Sequence, residues 1–368
     1  MQTPKHQTRT FIFEGSITAE APLATCSKDL RDREGGDNKP IPVPHTTLND
    51  KGERLMYPST GIRGALRRRA RDILRHAVIR ATGNPTPFSL DEHYMLTLGG
   101  IKGEGPQERS TVAMEAEWRA KNPLLSLFGA GDAGVLGFVH GRLSVSNAIA
   151  RDPLQPVIFS GTRTDDFYRD KSQVKYLSPD DVQNLIARAK GGKDRSSLQA
   201  EIKNLTRDMK KLVREGKNEE SAALKERIDA METQVAQVKS DTGATDVPVG
   251  MPLAGWQAIP QGCVMDQRIL LMRSNKIELG CLLHTLNAFA LDPMLGAHYA
   301  NGHGIVSGEW AVDEADIHGR HGIGKVSFMP FEPLVINGGG DSTLAQAWKA
   351  FDTFLESKDW DFSIPVAA

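Results

Sequence analysis

The sequence has few of the features that mark secreted, membrane-spanning or zinc-binding proteins. Its 368 residues include three cysteines, and aromatic residues make up 6% of the chain. Cys26, Cys263 and Cys281 lie far apart, and no CxxC pair or Cys/His cluster has the spacing of a zinc site. No apolar run is long enough to cross a membrane, and the polar first residues do not form a signal peptide. We therefore expect a cytoplasmic protein with free thiols and with no membrane partner, metal or cofactor.

The chain also lacks a large net charge. Its 45 lysines and arginines nearly balance its 46 aspartates and glutamates, which gives a formal net charge of −1. This balance argues against a protein covered with unspecific positive charge. It does not exclude nucleic-acid binding, because one local basic face can supply the phosphate contacts.

Hydrophobic periodicity predicts an α+β protein. Residues 9–18 alternate between apolar and polar and predict a strand, whereas the charged segment 19–56 has no period and predicts a functional or disordered loop. A helix is predicted from Ser59 or Thr60, either of which could be the N-cap, to the stop at Gly83. Further predicted elements are strands at 137–148, 263–272, 304–312 and 324–329 and helices at 276–289 and 344–355. Without the insertions, this order of strand, helix, strand, twice over, is that of a ferredoxin-like, RRM-type fold.

The segment 179–245 has a different pattern, in which apolar residues recur in steps of three and four. The two series are Leu198, Ile202, Leu205, Met209, Leu212 and Leu224, Ile228, Met231, Val235, Val238. They flank the polar residues 214–218, so the pattern predicts an antiparallel helical hairpin. Each helix has only a narrow apolar seam, and we therefore expect the hairpin to stand largely clear of the main core.

The first candidate site is the basic start of the helix, YPSTGIRGALRRRARDIL, at 57–74. Seven arginines lie between Arg63 and Arg80, against one acidic residue, Asp72. Four of them step by four residues and form a stripe: Arg63, Arg67, Arg71 and Arg75. Two interpretations fit the stripe, a solvated basic face and an anion-binding surface. Like charges at this spacing repel one another, which favours an anionic partner.

The beginning of that helix adds to the second interpretation. A helix N-terminus offers backbone N–H groups and the positive end of a dipole, which together bind phosphate. Ser59 and Thr60 add hydroxyl groups there, and we expect Gly61 and Gly64 to let a ligand backbone approach closely.

The second candidate site is the glycine-rich segment 295–308, LGAHYANGHGIVSG. A helix leads into this turn and a strand follows it, which is not the strand–GxGxxG–helix order of a dinucleotide fold, and no Walker lysine is present. Two interpretations remain open. The segment could be a tight turn that needs positive φ angles, or a loop along which a nucleic-acid backbone passes. In the second case His298, Asn301 and His303 are the expected polar contacts.

Together these segments resemble the RAMP superfamily of CRISPR proteins. Residues 57–74 are similar to the turn and first helix of that superfamily, and 295–310 to its C-terminal glycine-rich loop. Residues 122–131 and 137–148 resemble its Phe-Gly turn and the strand that follows. The overall pattern most resembles the backbone subunit of type IV CRISPR systems and covers most of the chain outside 179–245. One departure is Ser59, which stands where the family usually has glycine after proline.

The resemblance implies a modified ferredoxin-like or RRM palm with helical finger insertions and a thumb-like hairpin. Residues 1–178 would form the first part of the palm with its loop and finger insertions. Residues 179–245 would be the helical-hairpin (coiled-coil) insertion, and 246–368 the thumb-like segment and second part of the palm. The family's members polymerise along crRNA in an antiviral ribonucleoprotein and present the spacer for pairing with target DNA or RNA. The implied partners are therefore crRNA, target nucleic acid, further copies of this chain and other CRISPR effector subunits.

The resemblance also implies roles for individual residues, and it implies no catalysis by this subunit. Ser59, Thr60, Arg63 and Arg67 would hold the guide backbone, beside a loop formed by 296–304. The full set of predicted RNA-binding residues is Ser59, Thr60, Gly61, Arg63, Arg67, Arg68, Arg71, His298, Asn301 and His303. Val249, Met251, Leu253 and Trp256 would form the thumb that wedges between bases. An apolar loop packed on the core is the other interpretation of those four residues.

Two further functions compete with a non-catalytic scaffold. The first is a RAMP endoribonuclease that cuts target or precursor RNA, for which Asp37 in the loop after the first strand is the candidate residue. The second is an interaction protein that works through the helical hairpin and has no role with nucleic acid.

Overall fold

The structure is a computed structural model of the chain. It describes residues 9–25, 40–48, 52–100, 111–131, 136–164, 170–214, 217–242, 250–340 and 342–363. Within these ranges no helix is long and apolar enough to cross a membrane. Of the three cysteines, Cys263 and Cys281 are buried free thiols, whereas Cys26 lies outside the described residues.

Helices and strands alternate irregularly along the chain. The helices are α1 (Ser59–Thr82), α2 (Leu90–Leu98), α3 (Val112–Lys121), α4 (Pro123–Phe128), α5 (Pro179–Arg214), α6 (Asn218–Thr242), α7 (Lys276–Ala290) and α8 (Thr343–Ser357). The strands are β1 (Arg9–Ala19), β2 (His45–Thr47), β3 (Glu53–Tyr57), β4 (Leu143–Val145), β5 (Ala148–Ala150), β6 (Val157–Thr164), β7 (Gly250–Ala258), β8 (Val264–Ser274), β9 (Val306–Asp316), β10 (Gly319–Phe328) and β11 (Val335–Asn337). Within the described ranges, short 3₁₀ helices occur at Lys171–Tyr176 and Tyr299–Asn301.

A nine-stranded antiparallel sheet forms the centre of the fold. Its strand order is β11-β10-β9-β1-β8-β5-β3-β2, and β4 pairs with β8 beside β5. All these pairings are antiparallel. The predicted α+β class is therefore confirmed. Strands β6 and β7 form a second, two-stranded sheet.

The core lies between one face of the large sheet and helices α1, α7 and α8. On β1 the alternation predicted from sequence holds, since Phe11, Phe13 and Ile17 are all buried. Helix α7 packs against both α1 and α8. Gly280 of α7 permits the second contact, because a Cβ atom there would lie 2.1 Å from the carbonyl oxygen of Ala347. These contacts fix the position of α1, which carries the first candidate site.

Several predicted boundaries shift. The strand expected at 137–148 begins at Leu143 and is interrupted before β5, because Ser146 and Asn147 leave the ladder. The segment 19–56, predicted to be irregular, contains β2 and the greater part of β3. Strands of three and five residues are too short to show an alternating pattern, which explains the miss.

The chain divides into two compact units, one formed by 1–159 with 256–368 and the other by 160–255. Helices α5 and α6 belong to the second unit and pack along each other as the predicted helical hairpin. Arg227 of α6 forms an ion pair with Glu201 of α5 at 3.1 Å, and Ile228 and Met231 of the α6 seam are buried. The heptad pattern thus predicted both helices of this unit.

Candidate functional site

Tyr57 joins the two candidate segments. It is the last residue of β3, and its side chain is buried. Its ring lies against Gly61 in the first turn of α1, where a Cβ atom would be 2.8 Å from the ring. Its hydroxyl accepts a hydrogen bond from the backbone N–H of Gly296. Burial raises the pKa of Tyr57 to about 12, so the hydroxyl stays protonated at neutral pH. The start of α1 and the glycine-rich loop are therefore neighbours.

The glycine-rich loop needs glycine where it meets the rest of the fold. Gly296 has a φ of 82°, and a Cβ atom there would lie 2.3 Å from the carbonyl oxygen of Ala24. The next residue, Ala297, donates its N–H to that same oxygen at 2.8 Å. The tip of the loop, including Tyr299 and Asn301, is exposed. The interpretation as a tight turn with positive φ angles is thus correct, and the loop also presents polar groups to solvent.

The first turn of α1 has fewer free donors than the sequence suggested. The N-cap is Pro58 rather than Ser59 or Thr60, and no side chain of the N-cap caps the helix. The N–H of Ser59 is taken by Oδ1 of Asn147 at 2.8 Å, and that of Gly61 by the carbonyl of Pro58 at 3.0 Å. Gly61 makes room for the ring of Tyr57, and its role in RNA binding stays a prediction. Thr60 remains exposed at this helix end.

Arg63 and Arg67 make hydrogen bonds inside the protein. Arg63 donates to the carbonyl of Phe128 at 2.5 Å and lies over the ring of that residue. Arg67 donates to the carbonyls of Met95 and Leu96 at 3.3 and 3.4 Å. These three carbonyls belong to the last turns of α4 and α2, where the dipole favours a cation and several carbonyls lack an intrahelical donor. The carbonyl of Met95 also accepts the N–H of Gly99 at 3.0 Å.

Burial has a measurable electrostatic consequence for both arginines. It lowers the pKa of Arg67 to about 10, with a smaller contribution from the charge of Arg63, and it also lowers the pKa of Arg63. The two residues at the centre of the predicted phosphate site therefore hold helix ends together. Their role in RNA binding stays a prediction.

Two other arginines of α1 have carboxylate partners. Arg69 forms an ion pair with Asp292, which precedes the glycine-rich loop, and Arg71 pairs with Asp72 at 3.0 Å. Carboxylates of the chain itself therefore neutralise these two charges, and one of them, Asp292, is distant in sequence from its arginine. Arg68 differs from them, because it is exposed and has no ion pair or hydrogen bond to any described residue. Its charge lies close enough to Tyr57 to act on that hydroxyl.

Four aromatic side chains form a cluster beneath the glycine-rich loop. His298 stacks on Trp256 with ring centroids 3.9 Å apart, and His303 and Phe159 meet edge to face at 4.6 Å. His303 and Trp256 are each 5% exposed. Neither ring nitrogen of His303, nor Nε1 of Trp256, has a hydrogen-bond partner among the described residues. Burial and the nearby His303 lower the pKa of His298, which favours the neutral form of His298 at pH 7.

The predicted thumb residues have different surroundings. Trp256 lies inside the aromatic cluster and not on the surface, so its ring is not an exposed wedge in this conformation. Met251 and Leu253 belong to β7, whereas Val249 and the candidate nuclease residue Asp37 lie outside the described residues. The wedge stays a prediction.

Sequence reasoning missed the residues that hold the site in place. Tyr57 entered the sequence analysis only as the first residue of the segment 57–74, and Asn147 lies 88 residues from the Ser59 N–H that its side chain accepts. A buried cluster of Ser126, Arg142 and Glu278 was also missed. Glu278 pairs with Arg142 at 2.7 Å, accepts a hydrogen bond from Ser126 and caps the start of α7. Only the position of Tyr57 directly before Pro58 could have drawn attention to it.

No protein-family model matches the chain, and no curated protein matches it. Solved structures with some similarity include a chain described as a type IV-B CRISPR complex. It is 13% identical with a TM-score of 0.39, over 84% of this chain and 91% of that chain. Csc2 from Thermofilum pendens is 11% identical with a TM-score of 0.35, over 83% and 67%. Csm3 from Methanopyrus kandleri is 12% identical with a TM-score of 0.34, over 84% and 78%. At TM-scores below 0.5 these similarities carry no argument about this chain.

Proposed function

We propose that this chain binds RNA as the backbone subunit of a type IV CRISPR ribonucleoprotein. The observation that carries the proposal is the packing of the Tyr57 ring against both Gly61 of α1 and Gly296 of the loop, where added Cβ atoms would lie 2.8 and 3.6 Å from the ring. It brings the basic helix and the glycine-rich loop, the two segments with which the sequence resembles RAMP proteins, onto one surface. Copies of the chain line up on crRNA there, hold its sugar-phosphate chain and present the spacer for pairing with target DNA or RNA beside other effector subunits.

The strand order supports the finer part of the fold proposal. In the large sheet, β9, β1, β8 and β5 are successive neighbours, and α1 and α7 follow β1 and β8 in the chain. This is the order of a ferredoxin-like unit, in which the last strand lies beside the first and the third lies between the first and the second. We infer that these elements form the RRM-like palm, that α2, α3 and α4 belong to its insertions, and that β6 and β7 form the thumb-like hairpin.

The exposed groups on this surface define its chemistry. Thr60 and Arg68 on α1 and Asn301 in the loop are exposed and polar, and Tyr299 is 69% exposed. An arginine and a hydroxyl suit a phosphate, and an aromatic ring suits stacking with a base of any identity. We therefore expect binding that depends strongly on salt and little on sequence.

Replacement of Arg68, which removes one exposed guanidinium, tests the proposed RNA-binding surface. We expect Arg68→Ala to weaken binding of a labelled single-stranded RNA equally for several sequences, because a phosphate contact carries no base information. The slope of log K against log salt should fall by about one for the loss of one phosphate contact. Fluorescence anisotropy across a salt series measures both quantities.

Arg80→Ala is the matched control. Arg80 is an exposed arginine in the last turn of the same helix, far from the glycine-rich loop in sequence and at the opposite end of α1. It removes the same charge from the chain and should leave the salt slope unchanged. Equal salt slopes for the two variants would contradict the assignment of the surface.

We also propose that the chain acts as a scaffold and does not itself cut RNA. The proposal rests on the resemblance to type IV backbone subunits. Incubation of the purified chain with labelled precursor and target RNA, with and without divalent metal, is the test. Cleavage that disappears in Asp37→Ala would replace the scaffold with the endoribonuclease interpretation.

A further inference from the structure

The helical hairpin of α5 and α6 presents a basic face on one helix. Lys203, Arg207, Lys210 and Lys211 are exposed and recur in steps of three and four, so they share one side of α5. The seam residues Leu205, Met209 and Leu212 lie on the opposite side, against α6. Arg207 contacts Asp208 at 4.0 Å, whereas the three lysines have no ion pair with a described residue.

The outer face of α6 is acidic. Glu219, Glu226 and Asp229 are exposed and lie on the side of α6 away from the buried Ile228 and Met231. At 100° per residue, Glu219 and Glu226 are each about 160–180° from Ile228, and Asp229 is about 100° from it. None of these three carboxylates pairs with a basic side chain within the described residues.

The two faces lie at the same level of the hairpin. The ion pair between Arg227 and Glu201 fixes the register of the two helices. Because the helices are antiparallel, the stretch 203–211 of α5 lies beside 217–225 of α6. With a rise of 1.5 Å per residue, the basic face is about 12 Å long and the acidic face about 15 Å long. The hairpin therefore carries a basic face on α5 and an acidic face on α6, which are similar in length and lie on opposite sides of the hairpin.

We propose that the basic face of α5 in one copy of this chain docks against the acidic face of α6 in the next copy. Such a contact is heterologous, since different patches meet, and it generates an open array instead of a closed dimer. The proposal rests on the proposed function, in which copies line up on one RNA. It gives the hairpin a role in joining neighbouring copies.

The acidic face favours a second copy over RNA as the occupant. A nucleic acid would neutralise the basic face of α5 and leave the acidic face at the same level without a partner, where it repels phosphate. A second copy satisfies both faces with one contact. Exposed ion pairs are individually weak and are screened by salt, so the contact alone should be weak. It becomes effective when RNA already holds the two copies close together.

Two variants of the full chain reverse one face each. The first carries Lys203→Glu, Arg207→Glu and Lys210→Glu, and the second carries Glu219→Lys, Glu226→Lys and Asp229→Lys. In either variant, like charges meet at every junction between copies. On a long RNA that holds several copies, we expect the protein concentration at half-assembly to rise about tenfold in sedimentation velocity at low salt. Unchanged assembly by both variants would overturn the proposal.

The chain that carries all six substitutions is the decisive variant. Its faces are exchanged, so they complement each other again, and its net charge equals that of the wild type. An equimolar mixture of the two single-face variants should also assemble, because every junction then joins opposite charges. Recovery in both cases supports docking between hairpins. Failure of both to recover, in chains that keep wild-type helicity, would overturn it.

A short RNA that holds one copy separates this proposal from RNA binding by the hairpin. The variant with all six substitutions should bind the short RNA as tightly as the wild type. Weaker binding by this variant would mean that the basic face of α5 contacts RNA instead of a second copy. If the wild type itself does not bind the short RNA, the proposed function fails. The docking is then tested without RNA, by measuring self-association of the concentrated protein at low salt. The wild type should self-associate, each single-face variant should not, and a mixture of the two variants should do so again. Absence of such self-association would overturn the docking as well.

Discussion

Two basic helices in this chain use their positive charges differently. In α1, Arg63 and Arg67 donate to carbonyls at the ends of neighbouring helices, and Arg69 pairs with a carboxylate. In α5, Lys203 and Lys210 point away from the hairpin seam and have no ion pair with a described residue. The two stretches look alike in sequence, as runs of cations at helical spacing.

The difference follows from what surrounds each helix. Helix α1 contacts α2, α4 and α7 on several sides, so most of its long side chains reach polar groups of other elements. Within the described residues, α5 packs mainly against α6, which leaves its other side to solvent. A run of positive charges therefore indicates an external anionic partner only where the fold itself does not supply carbonyl or carboxylate oxygens to those charges.

The largest effect on stability that this comparison predicts is that of replacing Arg67. Replacement by alanine removes two hydrogen bonds from a half-buried guanidinium to Met95 and Leu96 and leaves helix-end carbonyls without that donor. Hydrogen bonds to charged groups are worth about 1.5–3 kcal/mol, so Arg67→Ala should lower the free energy of unfolding by about 2 kcal/mol. A change below about 0.5 kcal/mol would show that Arg67 is as free as the lysines of α5.

The measurement is urea denaturation followed by tryptophan fluorescence. All five tryptophans lie in the unit formed by 1–159 and 256–368, so their emission reports that unit alone. Arg80→Ala is the control, since Arg80 lies in the same helix but is exposed, and its loss should change stability by less than about 0.5 kcal/mol.

Sequence patterns predicted the helices better than the roles of the charges on them. Periodicity is local, so the strand with Phe11 and Phe13 and the seam with Ile228 were predicted from a few neighbouring residues. The partners of the arginines are distant in sequence: the carbonyl of Phe128 is 65 residues from Arg63, and Asp292 is 223 residues from Arg69. Such pairings depend on the tertiary fold, and one sequence does not reveal them.

The candidate site shows the same limit. The glycine-rich loop and the basic helix were each predicted, but nothing in the sequence showed that Tyr57 joins them. The predicted N-cap was wrong because Asn147, a residue of a different segment, supplies the oxygen that accepts the Ser59 N–H. The sequence predicted a phosphate site with free N–H donors at Ser59 to Gly61. The groups that remain available there are exposed side chains such as those of Thr60 and Arg68.

A smaller effect on stability is expected at Tyr57, the residue that connects α1 to the glycine-rich loop. Tyr57→Phe keeps the buried ring and removes the hydroxyl that accepts the Gly296 N–H. We expect a loss of about 1 kcal/mol in the free energy of unfolding at pH 7. Tyr299→Phe removes a hydroxyl from an exposed tyrosine of the same loop and should have no measurable effect. Equal effects of the two substitutions would contradict the bond to Gly296.

The pH dependence of the same pair gives an independent check. Burial raises the pKa of Tyr57 from 10.0 to about 12, so the unfolded chain loses this proton first. The stability that depends on the protonated hydroxyl is fully present below pH 10 and is lost as the pH rises towards 12. The phenylalanine variant has no such proton. Two pKa units correspond to about 2.7 kcal/mol, which exceeds the advantage of about 1 kcal/mol expected for the wild type at pH 7. The difference in unfolding free energy between wild type and Tyr57→Phe should therefore shrink and then change sign between pH 10 and 12.

The smallest expected effect lies in the hairpin, at Lys210. If this side chain makes no contact within its own chain, Lys210→Ala should change the stability of the hairpin by less than about 0.5 kcal/mol. Circular dichroism at 222 nm follows all the helices of the chain, so a transition that tryptophan fluorescence does not show is assigned to α5 and α6. Asn204→Ala, at an exposed neutral residue of the same helix, is the control. Because a charge on a free face matters only to a partner, Lys210→Ala should weaken assembly on a long RNA, and Asn204→Ala should not. A loss of hairpin stability larger than 1 kcal/mol in Lys210→Ala alone would mean that the fold uses this lysine as it uses Arg67, and the difference between the two helices would disappear.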